Sequence, residues 1–362
     1  MQATDEIIIE RNGSAGIVRL NRPKALNSLT LPMVRAITSA LETFAADPAI
    51  ASVVIMGDGE RGFCAGGDIR ALHQSGSTDG EDATSFWREE FRLNRMIADY
   101  PKPYVALMDG ITMGGGVGLS AHASHRIVTD RTRLAMPETG IGYFPDVGAT
   151  WLLPRAPGET GTWLALTGLA VGAADAIHAG LADHYVASME LADVVDGIGR
   201  LPPGASTANV HLAIATKAQT PEAGAFAAHA GMIGRAFAHD SVEAILAALA
   251  MEANDFAAET LRAIATRSPT SLKLTLRLLR AGRTSRNLAE CLERELGACQ
   301  QILQTLDFYE GIRAAVIDKD RAPQWSPTSL DAVDDATLGR FFTPAMPSLF
   351  AGEKNADGQA HM

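Results

Sequence analysis

The sequence has few cysteines, no excess of basic residues and no long apolar run. Its three cysteines, Cys64, Cys291 and Cys299, lack the paired spacing of a zinc site or a disulfide framework, so we expect no metal and a reducing compartment. Residues 1–10 lack a basic targeting segment, which favours a bacterial cytoplasmic location, although a processed organellar chain would look the same. The uncharged apolar stretch from Thr160 to Ala174 is shorter than the roughly 20 residues of a membrane-spanning helix.

The charge balance and two missing motifs exclude further classes of protein. Lysine and arginine total 31 against 42 acidic residues, and a formal charge of −11 argues against a nucleic-acid or anionic-membrane surface. No G-x-S-x-G elbow occurs, which argues against an esterase of the α/β-hydrolase type. His122 and His125 have no third metal ligand nearby, and Cys64 has no basic partner, so we expect structural roles for all three.

Alternating strand and helix patterns occupy the first part of the chain. A strand pair is predicted around the turn at Asn12-Gly13, and Thr30 is a candidate cap for a helix with apolar residues at helical spacing through Phe44. A buried strand follows from Ser52 to Met56. Strand–helix–strand units of this kind build a parallel sheet, so the pattern indicates an α/β fold.

The composition changes to alanine-rich, mostly helical sequence after Pro202. We therefore predict an α/β core over residues 1–200 and a helical C-terminal region over residues 201–345 that packs on it. The tail, residues 346–362, is predicted to be flexible.

Two glycine-rich segments can expose backbone N–H groups to a ligand. They are Phe63-Cys-Ala-Gly-Gly-Asp-Ile and Gly110-Ile-Thr-Met-Gly-Gly-Gly-Val-Gly-Leu, the second predicted to enter a helix. Two such turns can place one donor each on a carbonyl oxygen, as acyl transfer requires, although the first alone is equally consistent with an ordinary strand-to-helix turn. Gly116, Gly118 and Ala121 also satisfy a dinucleotide-binding pattern, but they lie mid-chain rather than after the first strand, so we favour the first interpretation.

Two carboxylates lie in an apolar, glycine-rich loop from Ala135 to Gly148. Glu138 and Asp146 are eight residues apart, and few nearby groups can solvate them. Acids in such surroundings are paired, perturbed or functional. Each could instead cap a helix, but the two glycine turns make a catalytic pair the better hypothesis.

These segments together resemble the crotonase (enoyl-CoA hydratase/isomerase) superfamily. The shared short motifs are Leu20-Asn-Arg-Pro-Lys-Ala-Leu-Asn, Cys64-Ala-Gly-Gly-Asp and Gly114-Gly-Gly. Longer segments are similar to the branch of that superfamily that hydrolyses β-hydroxyacyl-CoA thioesters: Trp87 to Glu90, Ile111 to Leu119, Met136 to Gly148, Asp307 to Ala314 and Ile317 to Trp325. The resemblance covers residues 6 to 345.

The resemblance implies a ββα superhelix with a helical C-terminal region, and hydrolysis of 3-hydroxyisobutyryl-CoA in valine breakdown. It implies an oxyanion hole formed by the amides of Gly67 and Gly115. It also implies catalysis by Glu138 and Asp146, with Glu90 as a further substrate contact beside Gly115. The coenzyme A contacts that it implies are Lys24, Ala25, Leu26, Ala65, Asp68 and Ile69. Coenzyme A is then part of the substrate, and no separate cofactor is expected. The resemblance suggests a trimer or hexamer, but the sequence leaves the oligomeric state open.

Two positions separate hydrolysis from hydration within the superfamily. A typical hydratase would carry glutamates at positions 118 and 138 and a glycine at position 146, whereas this chain has Gly118, Glu138 and Asp146. Adding water across a double bond needs an acid and a base flanking both carbons, so an enoyl-CoA hydratase or isomerase is the weaker alternative. A non-enzymatic scaffold would have no reason to keep both acids and both glycine turns. The acyl group, 3-hydroxyisobutyryl or 3-hydroxypropionyl, stays open, as does Glu138 as nucleophile or general base.

Overall fold

Two sheets organise the chain, and the computed structural model describes residues 5–351. The larger sheet has the strand order β1-β2-β3-β5-β7-β9, in which β1 and β2 are antiparallel and all other neighbours are parallel. The smaller sheet is parallel, with the order β4-β6-β8. The strands are β1 (Ile7–Asn12), β2 (Ala15–Leu20), β3 (Ser52–Gly57), β4 (Gly62–Cys64), β5 (Tyr104–Met108), β6 (Ile111–Met113), β7 (His125–Val128), β8 (Arg133–Ala135) and β9 (His184–Tyr185).

Eight helices accompany these strands up to residue 199. They are α1 (Leu31–Ala46), α2 (Ile69–Gly76), α3 (Glu81–Ala98), α4 (Gly115–Ser120), α5 (Ala149–Leu152), α6 (Thr160–Thr167), α7 (Ala173–His178) and α8 (Leu191–Gly199). The predicted cap of α1 is confirmed, because the Thr30 hydroxyl accepts a hydrogen bond from the Met33 N–H.

Helices dominate the rest of the described chain. They are α9 (Thr207–Ala215), α10 (Ala225–Ala236), α11 (Val242–Ala250), α12 (Asp255–Ala265), α13 (Pro269–Arg283), α14 (Leu288–Ile302), α15 (Leu306–Ile312) and α16 (Asp335–Gly339). A π-helical turn, Arg313–Ile317, follows α15 directly. The α/β fold with a helical C-terminal region, as predicted, is therefore confirmed.

The hydrophobic core is shared between the sheets and the later helices. One buried cluster includes residues from Ile7 to Phe350, so the helices after residue 200 pack into the same core as α1 and α3. A second cluster lies on the other face of the larger sheet, where α8 and α9 cover it. The domain boundary at residue 200 stays a prediction.

The apolar stretch from Thr160 to Ala174 forms α6 and the start of α7, and every residue of α6 is buried. Its hydrophobicity is therefore explained by the core. Within residues 5–351, no helix is long and apolar enough to span a membrane.

The first residues of the tail predicted to be flexible, 346–362, contact the rest of the protein. Leu349 and Phe350 are buried, and the Leu349 N–H donates to the Glu293 carboxylate. Arg88 and Arg92 of α3 donate to carbonyl oxygens of this segment. Two apolar side chains next to an arginine-bearing helix give the segment enough contacts to pack; residues 352–362 lie outside the described part.

Candidate active site

The first glycine turn presents the N–H of Gly67 without using it internally. Leu29 and Gly67 form a parallel bridge in which the Leu29 N–H donates to Gly66 O (2.8 Å) and the Asp68 N–H donates to Leu29 O (2.8 Å). This pattern uses the groups on either side of Gly67, and the Gly67 N–H has no acceptor among residues 5–351. Gly66 has a φ of +97°, a conformation that favours glycine, so the turn requires glycine at this position.

The second glycine turn brings the N–H of Gly115 to the same place. Gly115 is the first residue of α4, so its N–H has no partner in the preceding turn of the helix. A Cβ on Gly115 would lie 3.4 Å from Gly67 N and 2.4 Å from Glu90 Oε1. The two amides and Glu90 therefore surround one small space, which a side chain at position 115 would fill.

Three acids meet beside these amides. Glu90 lies on α3, Glu138 begins the short helix Glu138–Ile141, and Asp146 lies in the loop before α5. Their exposed fractions are 2%, 6% and 5%. Within the described residues, no lysine or arginine pairs with any of them, and neither Glu138 nor Asp146 caps a helix with its side chain. Glu90 Oε1 and Glu138 Oε2 are buried with no hydrogen-bond partner.

Burial without a cation raises the pKa of all three carboxyl groups. The pKa of Glu90 is well above its ordinary value because of burial and then the charges of Asp146 and Glu138. The pKa of Glu138 is raised by burial and by Asp146. Burial raises the pKa of Asp146 to about 7, and hydrogen bonds from Tyr143 and its own backbone N–H keep it from rising further. Asp146 is thus the acid of the three that ionises most readily.

A chain of hydrogen bonds runs from Cys299 through Tyr143 to the Asp146 carboxylate. The Tyr143 hydroxyl donates to Asp146 Oδ2 (2.7 Å), so the Cys299 thiol, 2.8 Å from the same hydroxyl oxygen, is placed to donate to it. The Tyr143 ring stacks on Trp87 with a centroid distance of 5.9 Å. These contacts fix the rotamer of Tyr143 and, through it, the orientation of the Asp146 carboxylate.

Position 118 has no room for a side chain. A Cβ on Gly118 would lie 2.7 Å from the Val147 Cβ and 2.8 Å from Asn94 Nδ2. Val147 and Asn94 are both buried, so neither can move into solvent to make space. A second glutamate opposite Glu138, which a hydratase would use, cannot be accommodated beside this loop.

All the predicted site residues border one cavity of about 660 Å³. The acids and Gly115 line it together with Gly67, and the residues predicted for coenzyme A, Lys24, Ala25, Leu26, Ala65, Asp68 and Ile69, line it as well. The Asp68 side chain pairs with Arg22 (3.2 Å).

Sequence reasoning missed several residues at or near this cavity. Arg61, Arg70 and Lys319 line it, and Lys319 comes from the segment after the π-helical turn. Glu295 and Cys299, both on α14, reach the Asp146 loop from about 150 residues away, and no local signal marked them. Tyr143 lay within a recognised segment without an assigned role. Cys64 is buried without a cation, and burial raises the pKa of its thiol to about 12, which agrees with a structural residue.

Two peptide turns around one space, with buried acids beside it, define a crotonase-type acyl-CoA site on a crotonase fold. The chain belongs to the enoyl-CoA hydratase/isomerase family, whose family model matches residues 15–342.

Individual proteins within this family are similar to the chain over most of its length. The chain is 43% identical over 342 residues to the mitochondrial 3-hydroxyisobutyryl-CoA hydrolase of Xenopus tropicalis, covering 93% of this chain and 89% of that protein. It is 41% identical to the human protein of the same name, covering 94% and 89%. The solved structure of a carnitinyl-CoA dehydratase from Mycobacterium thermoresistibile has a TM-score of 0.90 at 41% identity, covering 97% of this chain and 100% of that one. That of an enoyl-CoA hydratase from Rhodobacter sphaeroides has a TM-score of 0.85 at 40% identity, covering 95% and 98%.

The predicted cytoplasmic location is contradicted by these comparisons. The curated hydrolases are named as mitochondrial proteins. The prediction rested on residues 1–10 and on three unpaired cysteines, neither of which distinguishes the cytoplasm from a second reducing compartment.

Proposed function

We propose that this protein hydrolyses 3-hydroxyisobutyryl-CoA to 3-hydroxyisobutyrate and coenzyme A, a step of valine breakdown. The curated relatives named for this reaction support the substrate. The observation that carries the proposal is the arrangement around Gly118: Val147 occupies the space of a second hydratase glutamate, and Asp146 lies beside Glu138 instead. The three acids thereby line one cavity with the two glycines.

Coenzyme A would enter along the cationic rim of the cavity. Lys24 and Lys319 line the cavity, and neither ammonium group has a partner among the described residues, so both are free to bind phosphate. Arg61 lies on the same rim and is held by the carbonyl oxygens of Pro23 and Lys24. Phosphates at the rim direct the uncharged acyl end toward the acids.

The thioester oxygen would lie between the N–H groups of Gly67 and Gly115. These donors stabilise the charge that develops on the oxygen, and losing one such donor typically costs about 10²–10³ in rate. In the direct route, Glu138 takes a proton from water, and the water oxygen bonds to the thioester carbon. The tetrahedral intermediate then breaks its C–S bond, and the coenzyme A thiolate takes up the proton.

In the alternative route, the Glu138 carboxylate attacks the thioester carbon, and the C–S bond breaks to release coenzyme A as the thiolate. Water then hydrolyses the mixed anhydride, which restores the Glu138 carboxylate and supplies the proton that the thiolate takes up. Both routes need Glu138 ionised at the moment of attack. Asp146, with a pKa of about 7, would lose its proton before Glu138 does, and its carboxylate would position Glu138 and the attacking water. Hydroxylamine trapping followed by peptide mass spectrometry separates the routes, because only the anhydride modifies Glu138. Each route uses water and the chain's own groups, and coenzyme A enters as part of the substrate.

Glu90 would bind the β-hydroxyl of the substrate. Its Oε1 is buried, unpaired and next to the space between the two amides. A site built to hydrogen-bond a hydroxyl rejects the analogue that lacks it. We expect kcat/KM for isobutyryl-CoA to be at least about 10²-fold below that for 3-hydroxyisobutyryl-CoA, and Glu90→Ala to reduce this ratio. An unchanged ratio in the variant would remove Glu90 from this role.

Hydration of an enoyl-CoA is the second candidate, and it is favoured by the names of the two solved structures. Against it stands the closed space at Gly118, since hydration needs acid and base groups flanking both carbons. Double-bond chemistry and thiol release are separately measurable.

The deciding experiment measures thiol release from 3-hydroxyisobutyryl-CoA, with crotonyl-CoA hydration assayed in parallel. We expect thiol release that depends on Glu138, tested with Glu138→Ala, and no hydration above background. Hydration without thiol release would replace this proposal with the second candidate. The same assay with 3-hydroxypropionyl-CoA measures the contribution of one methyl group, about 1–3 kcal/mol in a pocket. The trimeric or hexameric assembly stays a prediction.

A further inference from the structure

The turn that follows Asp146 has a backbone conformation that its sequence disfavours. Val147 has a φ of +52°, and Gly148 has a φ of +82°. Glycine adopts this left-handed region freely, whereas a β-branched residue rarely does. Val147 is fully buried, so the conformation is imposed by the surrounding protein.

Two side chains hold the backbone of this turn. Glu295 on α14 accepts from the Gly148 N–H (2.8 Å), the Thr150 N–H (3.0 Å) and the Thr150 hydroxyl (2.5 Å). The second side chain is His122, whose Nε2 lies 2.8 Å from Val147 O. A carbonyl oxygen only accepts, so His122 is the donor. Neither Glu295 nor His122 lines the cavity.

We infer that Glu295 and His122 are positioning residues for Asp146, because together they hold the Val147 turn in the conformation that sets Asp146 beside Glu138. The inference rests on the proposed function for its kinetic consequence. In the relaxed alternative, with Val147 at negative φ, the residues on either side of the turn point elsewhere. The Asp146 carboxylate then loses its place under the Tyr143 hydroxyl, and the Val147 side chain leaves the space beside Gly118.

The variant Glu295→Gln tests this inference with little change of volume. An amide has one accepting oxygen, so it cannot accept from all three donors of the turn. We expect kcat for 3-hydroxyisobutyryl-CoA to fall by roughly 10- to 100-fold, because misplacement of a reacting group by about 1 Å costs about that much. KM is expected to stay within about twofold of the wild type, since Glu295 itself does not line the cavity.

Asp175→Asn provides a matched control. Asp175 is also buried, and it accepts from the N–H groups of Ala225 (3.1 Å) and Phe226 (2.9 Å), away from the cavity. This variant loses the same kind of bond, so we expect a lower melting temperature with kcat per folded molecule unchanged. If Glu295→Gln also keeps its kcat within twofold, the inference is wrong.

Two further measurements keep the inference testable. If Glu295→Gln does not fold, His122→Phe removes the donor to Val147 O while keeping a ring, and kcat is expected to fall about 10-fold. A wild-type kcat in that variant would overturn the inference.

Crystal structures of the folded variants are expected to show Val147 at negative φ and a broken Tyr143–Asp146 hydrogen bond. A lowered kcat with the turn unchanged would also contradict it. If the wild type releases no thiol, the proposed function fails, and the crystal structures still decide whether these residues hold the turn.

Discussion

Two buried glutamates, Glu295 and Glu138, lie near the same loop and use their oxygens differently. Both Glu295 oxygens accept hydrogen bonds, three in all, whereas Glu138 Oε2 has no partner. Burial raises the pKa of both, that of Glu295 to about 8. An unpaired buried carboxylate costs free energy that folding alone gives no reason to retain. Hydrogen bonding of the oxygens, rather than burial, therefore separates an acid that supports the fold from one available for chemistry.

The largest expected effect comes from changing each glutamate separately to glutamine, and it falls on Glu138. Glu138→Gln is expected to lower kcat by about 10³-fold or more, because it removes the proposed base or nucleophile. Its melting temperature at pH 8 is expected to exceed that of the wild type. The pKa of Glu138 is higher in the folded protein than in the unfolded chain, so rising pH favours unfolding, and the amide removes this cost.

Thermal unfolding at several pH values between 5 and 8 checks this expectation. Because the pKa of both glutamates is raised, the stability of each variant relative to the wild type should rise with pH. Glu138→Gln should become more stable than the wild type, whereas Glu295→Gln should stay less stable because the turn has lost an acceptor. Equal loss of stability in both variants would show that the two glutamates are alike.

A smaller effect is expected from Gly115→Ala. The added Cβ would lie 2.4 Å from Glu90 Oε1 and must displace that carboxylate or the turn itself. Since the turn supplies one of the two amides, we expect kcat to fall by about 10²–10³-fold. Gly197→Ala on α8 is the control, because nothing lies within 4 Å of a Cβ at that position. Wild-type kinetics in Gly115→Ala would mean that the space around Glu90 need not stay open.

The smallest effect is expected from Tyr143→Phe, which makes Asp146 resemble Glu138 by removing its side-chain donor. The Tyr143 hydroxyl lowers the pKa of Asp146, so its loss raises that pKa above about 7. The acidic limb of the pH profile of kcat/KM should then move to higher pH. We expect a roughly 3- to 10-fold loss at pH 7 that recovers toward pH 9. Tyr100→Phe, whose hydroxyl contacts Leu41 O, should leave the profile unchanged.

Much of the fold and of the acid pair could be predicted from the sequence because their signals are local. Adjacent residues alone indicate the cap at Thr30, the strand pair around Asn12-Gly13 and the glycine turns. Glu138 and Asp146 stood out because their loop has few groups to solvate them. Glu295 gave no such signal, since a glutamate within a predicted helix is normally expected on the solvent-exposed face. Its burial follows only from the packing of α14 against the loop before α5. The burial of Leu349 and Phe350 likewise had no local signal in the sequence.

The contact between Gly118 and Val147 means that substitutions at these two positions are coupled in evolution. Because the Val147 side chain fills the volume that a residue at position 118 would need, neither position can be altered alone without a clash or a void. In related chains, we expect a side chain at position 118 to accompany a small residue or a different turn at position 147. Exchanging hydrolysis for hydration would then require a coordinated pair of substitutions, and every single-step intermediate would pass through a damaged core.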